Sequence, residues 1–324
     1  MFISRRLALA ALSAPIVAPR TPRAQDRPLR LVVASAAGAN ADLAARLLAS
    51  EAEPLFGRRI LVENQPAASG QRAVEVVARA EPDGETLLFG TASQLVMNLA
   101  LFENPAVDVT RAIRGITLVN RVPMVLAVPA SEPATDLASF VGRLRMGGAA
   151  QYGSGPVGTT THVVGARFVA ETGLARLDLV HAPYPSSAQA LTDLMAGRLS
   201  FMFDAALTAL PHHRAGRLRI LGVAAEARLP AAPDLPTLTE AGLPGFTGST
   251  WNSVAGPSAM PEAVVIRLAD KFNAALARPE LRRRLVELGS ELPGEPLSPA
   301  QVDGFYAAER ATWLPLLRAT PLRG

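Results

Sequence analysis

The chain has 324 residues and a mass of 34.0 kDa; 49% of its residues are hydrophobic, 19% are charged, and the mean hydropathy is +0.22. That length and apolar content allow a buried core and about two domains, and they exclude disorder, collagen and coiled coil. The formal charge of +4 rests almost wholly on arginine, Lys271 being the only lysine, with no run of five or six cations to mark a nucleic-acid surface, and the absence of cysteine excludes disulfides, thiolate metal sites and a cysteine nucleophile.

At the N-terminus, Arg5 and Arg6 precede an apolar stretch from Leu7 to Ala18, followed by Pro19, Pro22 and Ala24. This pattern predicts a signal peptide over residues 1–24, cleaved near Ala24 with Ala18 as the alternative, and hence a soluble exported protein. The apolar run is well short of the roughly 20 residues a spanning helix needs. Ser4-Arg5-Arg6-Leu7-Ala8-Leu9 fits a twin-arginine signal and an ordinary secretory n-region equally. Arg5, Arg6, Arg20 and Arg23 all lie in this segment and no acidic residue does, so the mature chain is near neutral.

Leu29 to Val33 reads as a strand, and the polar, small-residue loop Ser35 to Asn40 leads into a helix. Leu43, Leu47, Leu48 and Leu55 fall on one face of that helix, and Asn40 or Asp42 is the expected cap. The unit repeats with a strand at Arg59 to Val62, a helix at Gln71 to Ala80, a turn at Pro82-Asp83-Gly84 and a strand at Thr86 to Phe89. Further strands are predicted at Ile113–Val119, Val125–Val128, Leu177–His181, Leu199–Phe203, Leu218–Val223 and Trp251–Ala255, with helices between most of them. Alternation of this kind predicts an α/β fold with largely parallel sheets covered on both faces. Pro261 to Ala277, Pro279 to Leu288 and Pro299 to Leu317 read as three closing helices, each begun by proline. The proline-rich stretches Pro129–Pro133 and Pro230–Pro244 are the predicted passages between domains.

Gly153-Ser154-Gly155-Pro156-Val157-Gly158 matches G-x-G-x-x-G, but the context of a dinucleotide site is missing. No strand is predicted before it, Asp178 falls near the start of the next strand rather than at its far end, and Pro156 removes a phosphate-facing N–H. A glycine loop feeding a helix still offers unpaired amides to an anion, with Thr159, Thr160 and Thr161 adding hydroxyls or capping the helix. A hydrolase or lyase reading would recruit Ser154, a histidine and Asp204, though Ser154 lacks the G-x-S-x-G elbow. No metal site is predicted: His212 and His213 point in different directions on a helix, and His162 and His181 are far from them in sequence. Asp204 ends a strand, where ligands of open α/β sheets collect, or caps the helix that follows. Ser35–Asp42, Thr91–Asn98, Gly153–His162 and Pro183–Ala190 hold no lysine or arginine. An anion held among them would therefore meet amides, hydroxyls and water.

These residues resemble the periplasmic substrate-binding proteins of tripartite tricarboxylate transporters, the Bug family, over essentially the whole mature chain. The likeness runs through Pro28-Leu29-Arg30-Leu31-Val32-Val33, Val62-Glu63-Asn64-Gln65-Pro66, Pro82-Asp83-Gly84, His181-Ala182-Pro183-Tyr184, Phe201-Met202-Phe203-Asp204 and Pro233-Asp234-Leu235-Pro236-Thr237. The resemblance implies a two-domain, type II Venus-flytrap binder with residues 28–125 plus 240–324 in domain I and 126–239 in domain II. It implies a small organic acid or amino-acid-like solute in the cleft, delivery to integral membrane permease subunits, a monomer, and neither catalysis nor a cofactor. The matching site positions are Ala36, Ala37, Gly38, Ala39 and Asn40 in the first loop, and Thr91 and Ser93 in the second. The others are Ser154, Gly158, Thr159, Thr160 and His162, then Ser186 and Ser187, and Asp204. Three loops depart from the family pattern: Ala39 stands where a glycine is usual, which would cost energy if that position needs a positive φ, Ala67-Ala68-Ser69-Gly70 has one glycine fewer, and Tyr184 is followed by Pro185-Ser186-Ser187 where lysine-glycine-serine is common.

Overall fold

The computed structural model describes residues 27–102, 105–147, 150–177 and 179–319; the expected signal peptide and Asp178 lie outside the described residues. Nine strands follow in chain order: β1 (Leu29–Val33), β2 (Ile60–Asn64), β3 (Thr86–Thr91), β4 (Ile113–Pro129), β5 (Ala150–Ser154), β6 (Leu179–Pro183), β7 (Phe201–Ala205), β8 (Leu218–Ala224) and β9 (Ser249–Pro257). The α-helices are α1 (Asn40–Phe56), α2 (Gln71–Ala78), α3 (Asn98–Leu101), α4 (Val109–Ala112), α5 (Leu137–Arg145), α6 (Thr160–Glu171), α7 (Ser187–Met195), α8 (Ala206–Arg214), α9 (Glu262–Leu276), α10 (Pro279–Glu287) and α11 (Pro299–Ala319).

The first sheet has the order β2-β1-β3-β9-β4, in which only β9 runs against the rest. The second consists of β4, β7, β5 and β6 with β8 on the free side of β4, and there β4 alone opposes the others. Each sheet is thus largely parallel, as expected. The two are joined by β4 itself, which pairs with β9 as far as Pro123 and with β7 and β8 from Met124 onward.

That sharing corrects two expectations. The strands predicted at Ile113–Val119 and Val125–Val128 are one, because the polar residues between them are satisfied in place. Asn120 Nδ2 donates to Ser290 Oγ (2.8 Å), Asn252 Nδ2 donates to Asn120 Oδ1 (2.7 Å), and Arg121 exchanges backbone bonds with Glu291. The chain therefore passes between sheets inside β4, not at Pro129–Pro133, and it returns at Gly248–Ser249, just after the stretch Pro230–Pro244. β5 went unpredicted because Ala150-Gln151-Tyr152-Gly153-Ser154 has neither alternation nor β-branched residues, yet it sits between β6 and β7.

β1 is apolar apart from the exposed Arg30 because, that position aside, both its faces are covered. Leu29, Leu31 and Val33 pack in one cluster with α1 and α9, and Val32 packs in another with α2 and α11. The three closing helices form where predicted; α9 and α10 lie against α1, and α11 lies against β4, where Tyr306 stacks on Trp251 at 5.3 Å between centroids. The second sheet packs on Phe168 of α6, which meets Phe201, Phe203 and Phe246 at 5.4, 5.4 and 6.2 Å. Among the described residues, no helix is long and apolar enough to cross a membrane.

Candidate functional site

Between the two sheets lies a cavity of about 90 Å³ on which the starts of several helical segments converge: α1, the π-helical turn Ser93–Met97 after β3, α6 and α7. The first-turn amides of a helix lack intrahelical acceptors and carry partial positive charge, so these ends suit an anionic group.

The first loop is tied down from behind. Gly38 has φ +78° and donates its N–H to Asp42 Oδ2 (2.9 Å), while Arg46 Nε and Asn64 Nδ2 both donate to Asp42 Oδ1 (2.9 Å each). Burial would raise the Asp42 pKa, but the bonds from Arg46, Gly38 and Asn64 outweigh it and hold the carboxyl below its usual value. The N-cap of α1 is Ala39, with no side-chain cap, so Asp42 closes the turn by reaching back instead of capping. Ala39 has φ −77° and ψ 165°, ordinary extended backbone; the left-handed position belongs to Gly38, and alanine costs nothing at 39. The missing glycine is felt one loop later, where Ala68 and Ser69 take φ +52° and +54°. Asn40 donates Nδ2 to Asn252 Oδ1 (3.2 Å), and its Oδ1, on a residue only 8% exposed in the cavity wall, has no protein partner.

Across the cleft, Gly155 N–H donates to Thr161 Oγ1 (2.9 Å), Thr159 Oγ1 donates to the Pro156 carbonyl (2.7 Å) and Ser186 Oγ caps α7 by accepting from Gln189 N (3.2 Å). Direct bonds join the two sides. Thr160 N donates to Ser93 Oγ (3.3 Å), and Ser69 Oγ donates to the Val157 carbonyl (3.1 Å). Gly158, at φ +89°, sits so close to the opposite side that a Cβ there would fall 2.7 Å from Leu101 Cδ1. Asp204 is fully buried at the end of β7. Burial pushes its carboxyl up to about 7, against bonds from Thr208 and the Ala205 amide.

Of the residues singled out in the sequence, Ala36, Ala39, Asn40, Thr91, Ser93, Thr159, Thr160, Ser186, Ser187 and Asp204 share the wall of this one cavity. Ala37, Gly38, Ser154, Gly158 and His162 are not on it: Ala37 and Gly38 are exposed to solvent, and the other three are buried behind the wall. Ser154 Oγ turns inward, 2.7 Å from the Gly155 carbonyl and 2.8 Å from His181 Nε2, and His162 Nδ1 accepts from Gly158 N (3.3 Å). His162 and His181 stack at 4.5 Å behind the loop; burial, with His181 alongside, lowers His162 to about 4, and burial lowers His181. The Ser154–His181 contact does not make a hydrolase, since Ser154 is wholly buried and His181 Nδ1 has no partner where a triad needs an orienting acid. Among the described residues, no group of three or more potential ligands gathers for a metal. Sequence reasoning missed Ser69 and Gln94, which also line the cavity: Gln94 Oε1 accepts from Thr91 Oγ1 (2.8 Å) and its Nε2 donates to the Ser69 carbonyl (3.1 Å). The glycine-poor loop before α2 was the available signal for Ser69; Gln94 left none, because its role is a tertiary bridge.

Two α/β lobes joined through one shared strand, with a cleft of helix ends and hydroxyls between them, are the architecture of a type II periplasmic solute-binding protein. The chain belongs to the tripartite tricarboxylate transporter family of receptors, whose model matches residues 44–320. It superposes on the periplasmic binding protein BugD with a TM-score of 0.86 and 28% identity, over 92% of this chain and 98% of that one. Rpa4515 of R. palustris, solved with adipate, matches at a TM-score of 0.85 and 30% identity over 91% and 97% of the two chains. MatC of Rhodopseudomonas palustris, solved with bound malate, matches at 0.81 and 28% over 90% and 99%. The protein is accordingly a solute-binding receptor of a transport system, with family and neighbours that bind substrates and are not enzymes.

Proposed function

We propose that the mature protein is a periplasmic monomer that closes its two lobes, which change over between Pro123 and Met124 of β4 and again at Gly248–Ser249, around a small dicarboxylate and presents it to integral membrane permease subunits. In this reading residues 1–24 direct export and are removed. The observation that carries the ligand class is the cleft wall, whose described residues include helix-start amides and hydroxyls but no arginine or lysine, and whose unpartnered acceptor Asn40 Oδ1 suits an ordered water. Such a wall holds a carboxylate by neutral donors and ordered water, and the ligand-bound neighbours carry malate and adipate. Closure is then favoured by contacts that the ligand makes to both lobes at once, added to the Thr160–Ser93 and Ser69–Val157 bonds that join them directly. Thermal-shift screening of mono- and dicarboxylates, amino acids and aromatic acids tests this. A saturable rise in Tm with dicarboxylates is expected, and no response to any of them overturns the ligand class.

A further inference from the structure

Asp204 is the only ionisable side chain among the described residues of the cleft wall, and it is 1% exposed. Thr208 Oγ1 lies 2.8 Å from Asp204 Oδ2 and also 2.8 Å from the Ala205 carbonyl oxygen. A hydroxyl has one proton, whereas a carbonyl and an ionised carboxylate are acceptors only. With Asp204 ionised, the one Thr208 proton is shared between both acceptors in a weaker three-centre bond; with the carboxyl protonated, Asp204 donates to Thr208, Thr208 donates to Ala205, and each short contact is a full hydrogen bond.

We propose that Asp204 is a neutral carboxylic acid whenever the cleft holds a dicarboxylate, so that binding the dianion above neutral pH takes up one proton from solvent. The proposal rests on the dicarboxylate reading above. An ionised Asp204 would face an anionic ligand across a cleft whose described wall offers no cation to offset the repulsion.

Nor does a charge on the neighbouring elements replace that proton. On the strands beside β7, Arg121 of β4 pairs with Glu309, Arg114 of β4 pairs with Glu262, and Tyr152 of β5 stacks between His181 and Phe201. On the helices, His162 of α6 takes the Gly158 N–H, Arg167 pairs with Glu171, and Asp193 of α7 pairs with Arg198. On α8, Arg214 donates to the Glu287 and Ala231 carbonyls, His213 takes the Ile220 N–H, and His212, with its pKa lowered by burial, is neutral at neutral pH. No neighbouring charge figures among the causes of the raised Asp204 pKa, which starts from burial.

The test is calorimetric titration with malate and with adipate from about pH 6 to about pH 9, in pairs of buffers of different ionisation enthalpy. Free aliphatic carboxyls titrate near pH 4, so the ligands stay dianionic across most of this range. The dissociation constant should be flat on the acid side and rise up to about tenfold per pH unit above pH 7, with proton uptake approaching one per ligand. Asp204→Asn, a neutral amide that keeps a donor to Thr208, should bind with a constant that does not vary with pH. A pH-independent constant in the natural chain, an uptake near zero, or an unchanged slope in the Asn variant overturns the proposal. The proton count is made on the natural chain and decides the matter even if the variant does not fold. Absence of binding by both ligands at every pH overturns the dicarboxylate reading itself, a result distinct from binding without proton uptake.

Discussion

Ser69 stands at φ 54°, ψ 33°, a left-handed conformation that costs a non-glycine residue about 1 kcal/mol, and its hydroxyl donates to the Val157 carbonyl on the opposite lobe at 3.1 Å. These two features have different thermodynamic reach. The backbone strain is local to the first lobe and is present whether the cleft is open or closed; the hydrogen bond exists only when the lobes meet. Ser69→Gly relieves the strain and deletes the bond, while Ser69→Ala keeps the strain and deletes the bond. An ordinary net hydrogen bond contributes about 0.5–1.5 kcal/mol, so both variants should bind ligand about two- to tenfold more weakly. Their melting temperatures should separate: the alanine variant lies below the glycine variant by the equivalent of about 1 kcal/mol, less the extra chain entropy glycine gains on unfolding. Titration calorimetry and thermal melts of both variants beside the natural chain make the comparison. Equal affinity in all three proteins would refute the cross-cleft role of Ser69.

The remaining predictions concern the loop and the stacked histidines behind it. His162 is held near a pKa of about 4 against about 6.5 in an unfolded chain, so the unfolded state binds the extra proton in between; stability is complete above about pH 6.5 and falls, by about 3 kcal/mol in all, as pH drops toward 4. Melting curves across that window should show the loss, and His162→Asn, whose Oδ1 takes the place of Nδ1 as acceptor for the Gly158 N–H, should flatten it; an unchanged slope in the variant would assign the loss elsewhere. Gly158→Ala places a methyl 2.7 Å from Leu101 Cδ1 across the cleft at φ +89°, and should weaken ligand binding at least about tenfold while costing about 1–2 kcal/mol of stability. Small-angle scattering with ligand should show this variant more open than the natural chain, and an identical profile would count against the contact.

Much of the fold was legible because its signals are local. The apolar run of β1, the 3.6-residue spacing of α1 and the prolines that open the last three helices each record a burial or a backbone constraint in neighbouring residues. What was not legible depends on partners distant in sequence. β4 is interrupted by Asn120, Arg121 and Pro123 when read alone, and its continuity comes from Asn252, Ser290 and Glu291. β5 lacks any alternating pattern and is a strand because β6 and β7 flank it. At the site, the loops could be read from their small residues and missing cations, but side-chain direction could not. Ser154 and Asp204 were both candidate site residues from their loops, and only packing turns one inward to His181 and leaves the other on the cleft wall. The glycine substitution that seemed hazardous at Ala39 proved harmless because Gly38 carries the left-handed turn, whereas the less conspicuous loss before Gly70 left Ala68 and Ser69 strained.

A receptor cleft binds one dicarboxylate and releases it unchanged. Calorimetric titration of the mature chain with malate and adipate at neutral pH, followed by proton NMR of the recovered ligand, decides between a receptor and an enzyme. Saturable binding at one ligand per chain with an unaltered ligand spectrum is expected; absence of binding by either dicarboxylate, or the appearance of product, would rule out a dicarboxylate receptor.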